Sequence, residues 1–128
     1  MSGAATILIC DDEPNLRELI RVSLEPDYRF AEAADGTEAI AEIERVHPDL
    51  VLLDVMMPGT GGLAVLERVR GDPDLADTPV VVVSAFATDA DRLAAFDAGA
   101  TEFVKKPFDP EGLRTLVESV LSGREPAP

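Results

Sequence analysis

The sequence predicts an α/β domain, a doubly wound three-layer sandwich with a five-stranded parallel sheet of order 2-1-3-4-5. Three observations lead to this prediction. Five short apolar segments alternate with five amphipathic segments along the chain. Three of the apolar segments are almost unbroken and rich in valine, leucine and isoleucine, as strands buried on both faces are. Strand–helix alternation implies right-handed crossovers, and five strands in a chain of 128 residues fit this strand order.

The five apolar segments are predicted as strands in chain order. The first, third and fourth are nearly continuous apolar runs and are therefore expected at the centre of the sheet. The second and fifth mix polar with apolar residues, which is typical of edge strands. The segments span residues 6–10, 28–33, 50–53, 80–83 and 102–104.

The five intervening segments repeat apolar residues every three or four positions and are predicted as helices. They span residues 14–24, 35–47, 62–70, 89–98 and 109–121. Pro14 suits the first turn of the first helix, Pro48 ends the second, and Gly99 follows the fourth as a cap. We expect Leu19 in the apolar stripe of the first helix, and Leu93 and Phe96 in that of the fourth.

The length and composition favour one folded domain. We assign residues 1–121 to it and interpret 122–128 as a flexible tail or the start of a linker. An apolar fraction of 46% is too high for a disordered chain, and a single cysteine excludes an internal disulfide. The sequence contains no signal-peptide pattern and no apolar run long enough for a membrane span. A cytoplasmic location is therefore expected.

The charge balance excludes two classes of partner. With 25 acidic and 11 basic residues, the formal net charge is −14. Nucleic-acid phosphates require clustered lysine and arginine, and anionic membrane surfaces attract basic segments. We therefore expect this domain to bind neither nucleic acid nor membranes.

Polar side chains follow four of the predicted strands at the same end. Asp11 and Asp12 follow the first strand, Asp54 follows the third, Ser84 ends the fourth, and Lys106 comes after the fifth. In the predicted order, the chain reverses direction between the first and third strands, where doubly wound sheets bind ligands. These side chains are therefore expected in one crevice at the carboxyl edge of the sheet.

Three carboxylates in one crevice repel each other and favour a cation. Two like charges about 4 Å apart repel by roughly 4 kcal/mol at an effective dielectric of 20. Such groups share a proton, raise a pKa or bind a cation. Since the donors are all oxygens, Mg²⁺ fits best. This ion binds one or two carboxylates together with water and phosphate oxygens, so the site favours a phosphoryl group as its ligand. An aspartate could then act as nucleophile while Lys106 screens the developing charge.

Four motifs in order give the chain a resemblance to a known family. They are Ile-Cys-Asp-Asp-Glu-Pro-Asn at 9–15, Val-Leu-Leu-Asp-Val-Met-Met-Pro-Gly at 51–59, Val-Val-Ser-Ala at 82–85 and Phe-Val-Lys-Lys-Pro-Phe at 103–108. With these motifs, residues 7–121 resemble the receiver domains of two-component response regulators, of the chemotaxis-regulator type. Each motif is weak by itself, but the four together on successive strand–helix units are highly specific.

The resemblance implies a role for each matching residue. Asp54 is expected to accept a phosphoryl group from a sensor histidine kinase or phosphotransfer protein. Asp11, Asp12, Asp54 and the backbone carbonyl of Met56 are expected to bind Mg²⁺, with Mn²⁺ as the alternative ion. Other implied residues are the phosphoryl contacts Ser84 and Lys106, the switch pair Ser84 and Phe103, and the structural residues Pro107, Pro58 and Gly62.

Two positions depart from the family's common pattern. Gly61 stands where an acidic residue is frequent, and Phe86 replaces a polar or charged residue two positions after Ser84. Phe86 and Met56 are therefore expected to form an apolar rim at the mouth of the crevice and to modulate hydrolysis of the phosphorylated form.

The leading interpretation is a signalling switch rather than an enzyme, although the domain would assist its own phosphorylation and dephosphorylation. Its output protein or domain is expected on the face formed by the fourth helix, fifth strand and fifth helix. Three alternatives remain: a flavodoxin-like electron carrier, an aspartate-nucleophile phosphohydrolase and a degenerate docking receiver. The first conflicts with the acidic Asp11-Asp12-Glu13 loop, the second with Met56 at its expected acid/base position, and the third with the complete residue set.

Overall fold

The computed structural model of the chain describes residues 4–57 and 61–123. Within these residues, strands and helices alternate in the order predicted. They are β1 (Thr6–Cys10), α1 (Pro14–Leu24), β2 (Arg29–Ala33), α2 (Gly36–Val46), β3 (Leu50–Leu53), α3 (Gly62–Gly71), β4 (Val80–Ser84), α4 (Asp89–Asp97), β5 (Glu102–Lys105) and α5 (Pro110–Gly123). The sheet order is β2-β1-β3-β4-β5 and every pairing is parallel, which confirms the predicted fold class.

The three central strands form the middle layer of two cores. Side chains of β1, β3 and β4 alternate between the faces of the sheet, and nearly all of them are buried. On one face they pack with α2, α3 and α4, and on the other with α1 and α5. This two-sided burial explains why the three segments are continuously apolar.

Local sequence signals set the helix boundaries. Pro14 occupies the first turn of α1, and the Asp35 carboxylate accepts a hydrogen bond from the Glu38 N–H at 2.8 Å at the start of α2. Thr88 and Asp91 form a reciprocal capping box at the start of α4. Gly99, with φ of 110°, reverses the chain after α4 in a conformation that favours glycine.

Three apolar side chains predicted to face the core are exposed. Leu19 of α1, Leu93 and Phe96 of α4 are 45%, 62% and 45% exposed. The buried positions of α1 are Ile20 and Leu24, which belong to the same predicted apolar stripe as Leu19, and the buried position of α4 is Ala95. The reason in α4 is its place against the edge strand β5, where only the small Ala95 faces the core.

The last helix is longer than predicted. α5 continues through Gly123, so that Ser122 and Gly123 are helical rather than part of a tail. Residues 124–128 lie outside the described residues. Among the helices that the structure describes, none is long and apolar enough to cross a membrane.

Arg70, near the end of α3, joins this helix to two other segments, one of which lies about thirty residues further along the chain. Its guanidinium donates to the backbone carbonyls of Gly99, Ala76 and Thr78 at 2.9, 3.1 and 2.6 Å. It also donates to the hydroxyl of Thr101 at 3.3 Å. This one side chain therefore fixes the end of α3 to the segments that lead into β4 and β5.

Replacing Arg70 with methionine is expected to destabilise the domain by about 2–3 kcal/mol, because several partly buried carbonyls lose their donor. Arg68→Met is the matched control, since Arg68 forms only an exposed ion pair with Glu44 and its loss should cost less than about 0.5 kcal/mol. Urea unfolding followed by circular dichroism measures both values. Equal stability of the two variants would contradict the role assigned to Arg70.

Candidate functional site

Backbone hydrogen bonds continue beyond the ends of the strands and align the polar residues. The Asp54 N–H donates to the Cys10 carbonyl at 2.9 Å, and the Lys106 N–H donates to the Ser84 carbonyl at 2.9 Å. The Asp11 N–H donates to the Ala33 carbonyl at 3.0 Å. The residues that follow adjacent strands are therefore held level with each other at one edge of the sheet.

The three predicted carboxylates come together at this edge. One carboxylate oxygen from each of Asp11, Asp12 and Asp54 lies within 4.8 Å of the other two. Asp11 and Asp54 are 2% and 5% exposed, whereas Asp12 is exposed. The Asp11 Oδ1 accepts from the Glu13 N–H and the Asp54 Oδ1 from the Met56 N–H, both at 2.9 Å. Each buried carboxylate is therefore oriented by the backbone of the loop that follows it.

Lys106 bridges the two buried carboxylates. Its Nζ donates to Asp11 Oδ2 at 2.8 Å and to Asp54 Oδ2 at 3.1 Å. Burial lowers the pKa of Lys106, but hydrogen bonds and charges from Asp11 and Asp54 outweigh this effect and raise its pKa above the usual value. The lysine therefore stays an ammonium ion at neutral pH.

The bridge was missing from the sequence prediction, which assigned Lys106 only to a phosphoryl oxygen. A signal for it existed, because repelling carboxylates need a nearby cation and Lys106 is predicted at the same edge. With the three carboxylates ionised, one ammonium leaves two negative charges uncompensated. The all-oxygen donor set and this residual charge fit a hard divalent cation such as Mg²⁺.

Ser84 lies buried at the end of β4, the strand between those that precede Asp54 and Lys106. It is 0% exposed, and its Oγ accepts a hydrogen bond from the Phe86 N–H at 3.1 Å. The hydroxyl oxygen is therefore oriented by the loop after β4, in the same way that loops orient Asp11 and Asp54.

An apolar cleft of about 310 Å³ lies next to the site. Met56 and Phe86, which are 54% and 55% exposed, line it together with Phe103. Phe103 is half-buried, and the Arg92 guanidinium lies over its ring, 4.8 Å from the centroid. Met56 and Phe86 thus line the same cleft.

Gly62, Pro107 and Pro58 are the residues predicted to support the site, and the structure describes the first two. Gly62 is buried where a Cβ atom would lie 2.3 Å from the Val55 Cα, so a larger residue would displace the backbone. The peptide bond between Lys106 and Pro107 is cis. Pro58 lies outside the described residues, and Lys105 is exposed.

Comparisons with known proteins agree on one family. The sequence model of the response regulator receiver domain matches residues 7–118. The chain is 37% identical to the DNA-binding dual master transcriptional regulator RpaA of Synechocystis over 116 residues, covering 90% of this chain and 48% of that protein. It is 39% identical over 116 residues to the transcriptional regulatory protein ResD of Bacillus subtilis, covering 90% of this chain and 47% of that protein. The chain thus spans about half the length of these relatives.

Solved structures show the same relationship. The crystal structure of a response regulator from Chloroflexus aurantiacus superposes with a TM-score of 0.88 at 32% identity, covering 93% of this chain and 98% of that one. The fold, the family match and the sequence similarity all cover most of the chain. The chain belongs to the response regulator receiver domain family and is a signalling domain of two-component systems.

Proposed function

We propose that Asp54 accepts a phosphoryl group from a sensor histidine kinase or phosphotransfer protein in a Mg²⁺-dependent reaction. The observation that carries this proposal is the bridge from Lys106 to Asp11 and Asp54, within a cluster of three carboxylates. The cluster supplies a nucleophile, oxygen ligands for a cation and a fixed positive charge at one crevice.

The proposed phosphoryl transfer uses the Asp54 carboxylate, the Lys106 ammonium group and the Met56 N–H. A carboxylate oxygen of Asp54 attacks phosphorus, the bond from phosphorus to the donor histidine nitrogen breaks, and the imidazole leaves with the bonding electrons. Lys106, at 3.1 Å from Asp54, is placed to pair with a phosphoryl oxygen as negative charge develops. The Met56 N–H holds the other oxygen of Asp54 at 2.9 Å and limits rotation of the carboxylate.

Asp11, Asp12, Asp54 and the Met56 carbonyl would hold the Mg²⁺ ion, and Mn²⁺ suits the same oxygen donors. When bound, the ion neutralises charge on the phosphoryl oxygens. Asp11 is fixed by Glu13 and Lys106, whereas Asp12 is exposed to solvent. We expect the ion to bind weakly before phosphorylation, as Mg²⁺ does with few carboxylates.

The signal would pass through Ser84 and Phe103 to the face formed by α4, β5 and α5. An anion on Asp54 would draw the Ser84 hydroxyl from its contact with the Phe86 N–H. Phe103, on the cleft beside these residues, could then turn inward. Exposed Leu93 and Phe96 on α4 support this face as the binding surface for an output protein or domain.

The domain limits, the location and the output are also proposals. We propose that the receiver domain extends to Gly123, at the end of α5, that a tail or the start of a linker follows it, and that the location is cytoplasmic. The domain would act as a switch and assist only its own phosphorylation and dephosphorylation. RpaA and ResD are regulators of transcription by name, and regulation of transcription is one output that a longer parent protein would provide.

Asp54→Asn is expected to abolish stable phosphorylation by acetyl phosphate, because an amide is a far weaker nucleophile than a carboxylate. Intact-mass spectrometry after incubation with Mg²⁺ measures the fraction carrying a phosphate. Asp74→Asn, the same change at an exposed position, should be phosphorylated like the wild type. Full occupancy on Asp54→Asn would refute the assignment of the phosphoacceptor.

Asp12→Ala is expected to reduce Mg²⁺ affinity by about tenfold or more, since it removes a direct ligand of the ion. Phosphorylation of the wild type should also stop in excess chelator. Isothermal titration of Mg²⁺ compares the wild type, Asp12→Ala and the exposed control Asp74→Ala. Phosphorylation at the normal rate in chelator would show that the metal role is wrong.

Phe86→Glu is expected to shorten the lifetime of the phosphorylated domain roughly fivefold, which corresponds to a change of about 1 kcal/mol in the hydrolysis barrier. The Phe86 ring and Met56 lie on one cleft beside the site, where they would hinder an attacking water. Leu93→Glu introduces the same charge on exposed α4 and is the control. Decay followed by intact mass tests this, and equal lifetimes of wild type and Phe86→Glu would end the proposal.

A further inference from the structure

We propose that Arg17 is a positioning residue, which clamps the peptide between Asp11 and Asp12 and so holds Asp12 in place for a divalent cation. The proposal rests on the proposed function in one respect, the binding of that cation by Asp11 and Asp12. It adds a residue that lies outside the carboxylate cluster and outside the four sequence motifs.

The clamp is a short hydrogen bond to the main chain. The Arg17 Nη1 donates to the Asp11 backbone carbonyl at 2.6 Å, and the arginine side chain is only 17% exposed. On the other side of the residue, the Asp11 N–H donates to the Ala33 carbonyl at 3.0 Å. Both backbone polar groups of Asp11 are therefore fixed, one by β2 and one by α1.

Fixing this carbonyl also fixes the start of Asp12. The carbonyl of Asp11 and the N–H of Asp12 belong to one planar peptide unit, so they cannot rotate independently. Asp12 is the exposed member of the carboxylate cluster, whereas Asp11 and Asp54 are held by backbone donors and by Lys106. The clamp thus restricts the one ligand whose own side chain is most open to solvent.

Glu32 holds the arginine in this position from the neighbouring strand. Its Oε1 accepts from the Arg17 Nε at 2.8 Å, and its Oε2 accepts from the Arg21 Nη1 at 2.6 Å. The Arg17 guanidinium thus uses one nitrogen on Glu32 and another on Asp11. Lysine has a single ammonium group and lacks this planar fork, so it would hold the two partners less well.

A charge effect alone predicts the opposite result. A positive side chain beside the carboxylates repels an incoming cation, so its removal would strengthen Mg²⁺ binding. Loss of a positioning contact instead weakens binding, as outer-shell substitutions usually do. The direction of the change therefore distinguishes positioning from electrostatics.

Arg21 provides a matched control within the same ion-pair group. It lies one turn further along α1 and shares Glu32, but it has no hydrogen bond to the Asp11 carbonyl. Arg17→Met and Arg21→Met each remove one positive charge and one ion pair with Glu32. Only Arg17→Met removes the clamp.

The test is a Mg²⁺ titration followed by ¹⁵N NMR for the wild type, Arg17→Met, Arg17→Lys, Arg21→Met and Asp12→Ala. We expect about tenfold weaker binding for Arg17→Met, an intermediate value for Arg17→Lys, and a change below about twofold for Arg21→Met. Unfolding in urea confirms that each variant is folded under the titration conditions. Arg17→Met binding at least as tightly as wild type, or Arg21→Met binding as weakly as Arg17→Met, overturns the proposal.

A second measurement separates this proposal from the metal assignment. The Glu13 N–H donates to Asp11 Oδ1, so its hydrogen exchange in metal-free protein reports whether the loop is ordered. Exchange should be faster in Arg17→Met and unchanged in Arg21→Met and Asp12→Ala. If wild type binds Mg²⁺ no better than Asp12→Ala while this pattern holds, the metal role in the proposed function is wrong and the clamp is structural only. Unchanged exchange in Arg17→Met overturns the clamp itself.

Discussion

The contact of one ammonium ion with two buried carboxylates is the interaction on which the site depends. Asp11 and Asp54 are almost fully buried, and a buried carboxylate without a partner is strongly destabilising. Lys106, which follows the edge strand β5, contacts both carboxylates across the end of β4 and compensates part of their charge. Adjacent strands are about 4.8 Å apart, so the lysine needs a long side chain to reach a carboxylate beyond β4. The residue at the end of β4 is the small, buried Ser84, which suits this contact.

The fold was predictable because its strongest signals are local. Continuous apolar runs marked β1, β3 and β4, and prolines, glycines and capping residues marked most helix ends. The helical periodicity of apolar residues did not predict correctly which of them are buried. Leu93 and Phe96 match a helical stripe, but α4 lies at an edge of the sheet and buries only Ala95. An edge helix has less surface to cover, and its sequence alone does not show this.

The sequence predicts which residues form the candidate site, but not the hydrogen bonds between them. Parallel strands present their carboxyl ends at one edge of the sheet, and this rule predicts that Asp11, Asp12, Asp54, Ser84 and Lys106 lie at one edge. The contacts of Lys106 join residues 52 and 95 positions apart and depend on side-chain rotamers. Arg17 gave no signal, because a charged residue in an amphipathic helix normally marks a solvated face. The chemical roles of these residues stay predictions.

Partial neutralisation connects the stability of this domain with its proposed chemistry. Lys106 compensates one of the three negative charges, which steadies the buried pair and still leaves the crevice negative. A second buried cation would balance the carboxylates further, but it would also compete with a divalent ion for the same oxygens. The Arg17 guanidinium avoids this conflict, because it faces a backbone carbonyl and Glu32 rather than the clustered carboxylates. The arrangement thus combines order in the acidic loop with residual negative charge, which suits the cation proposed above.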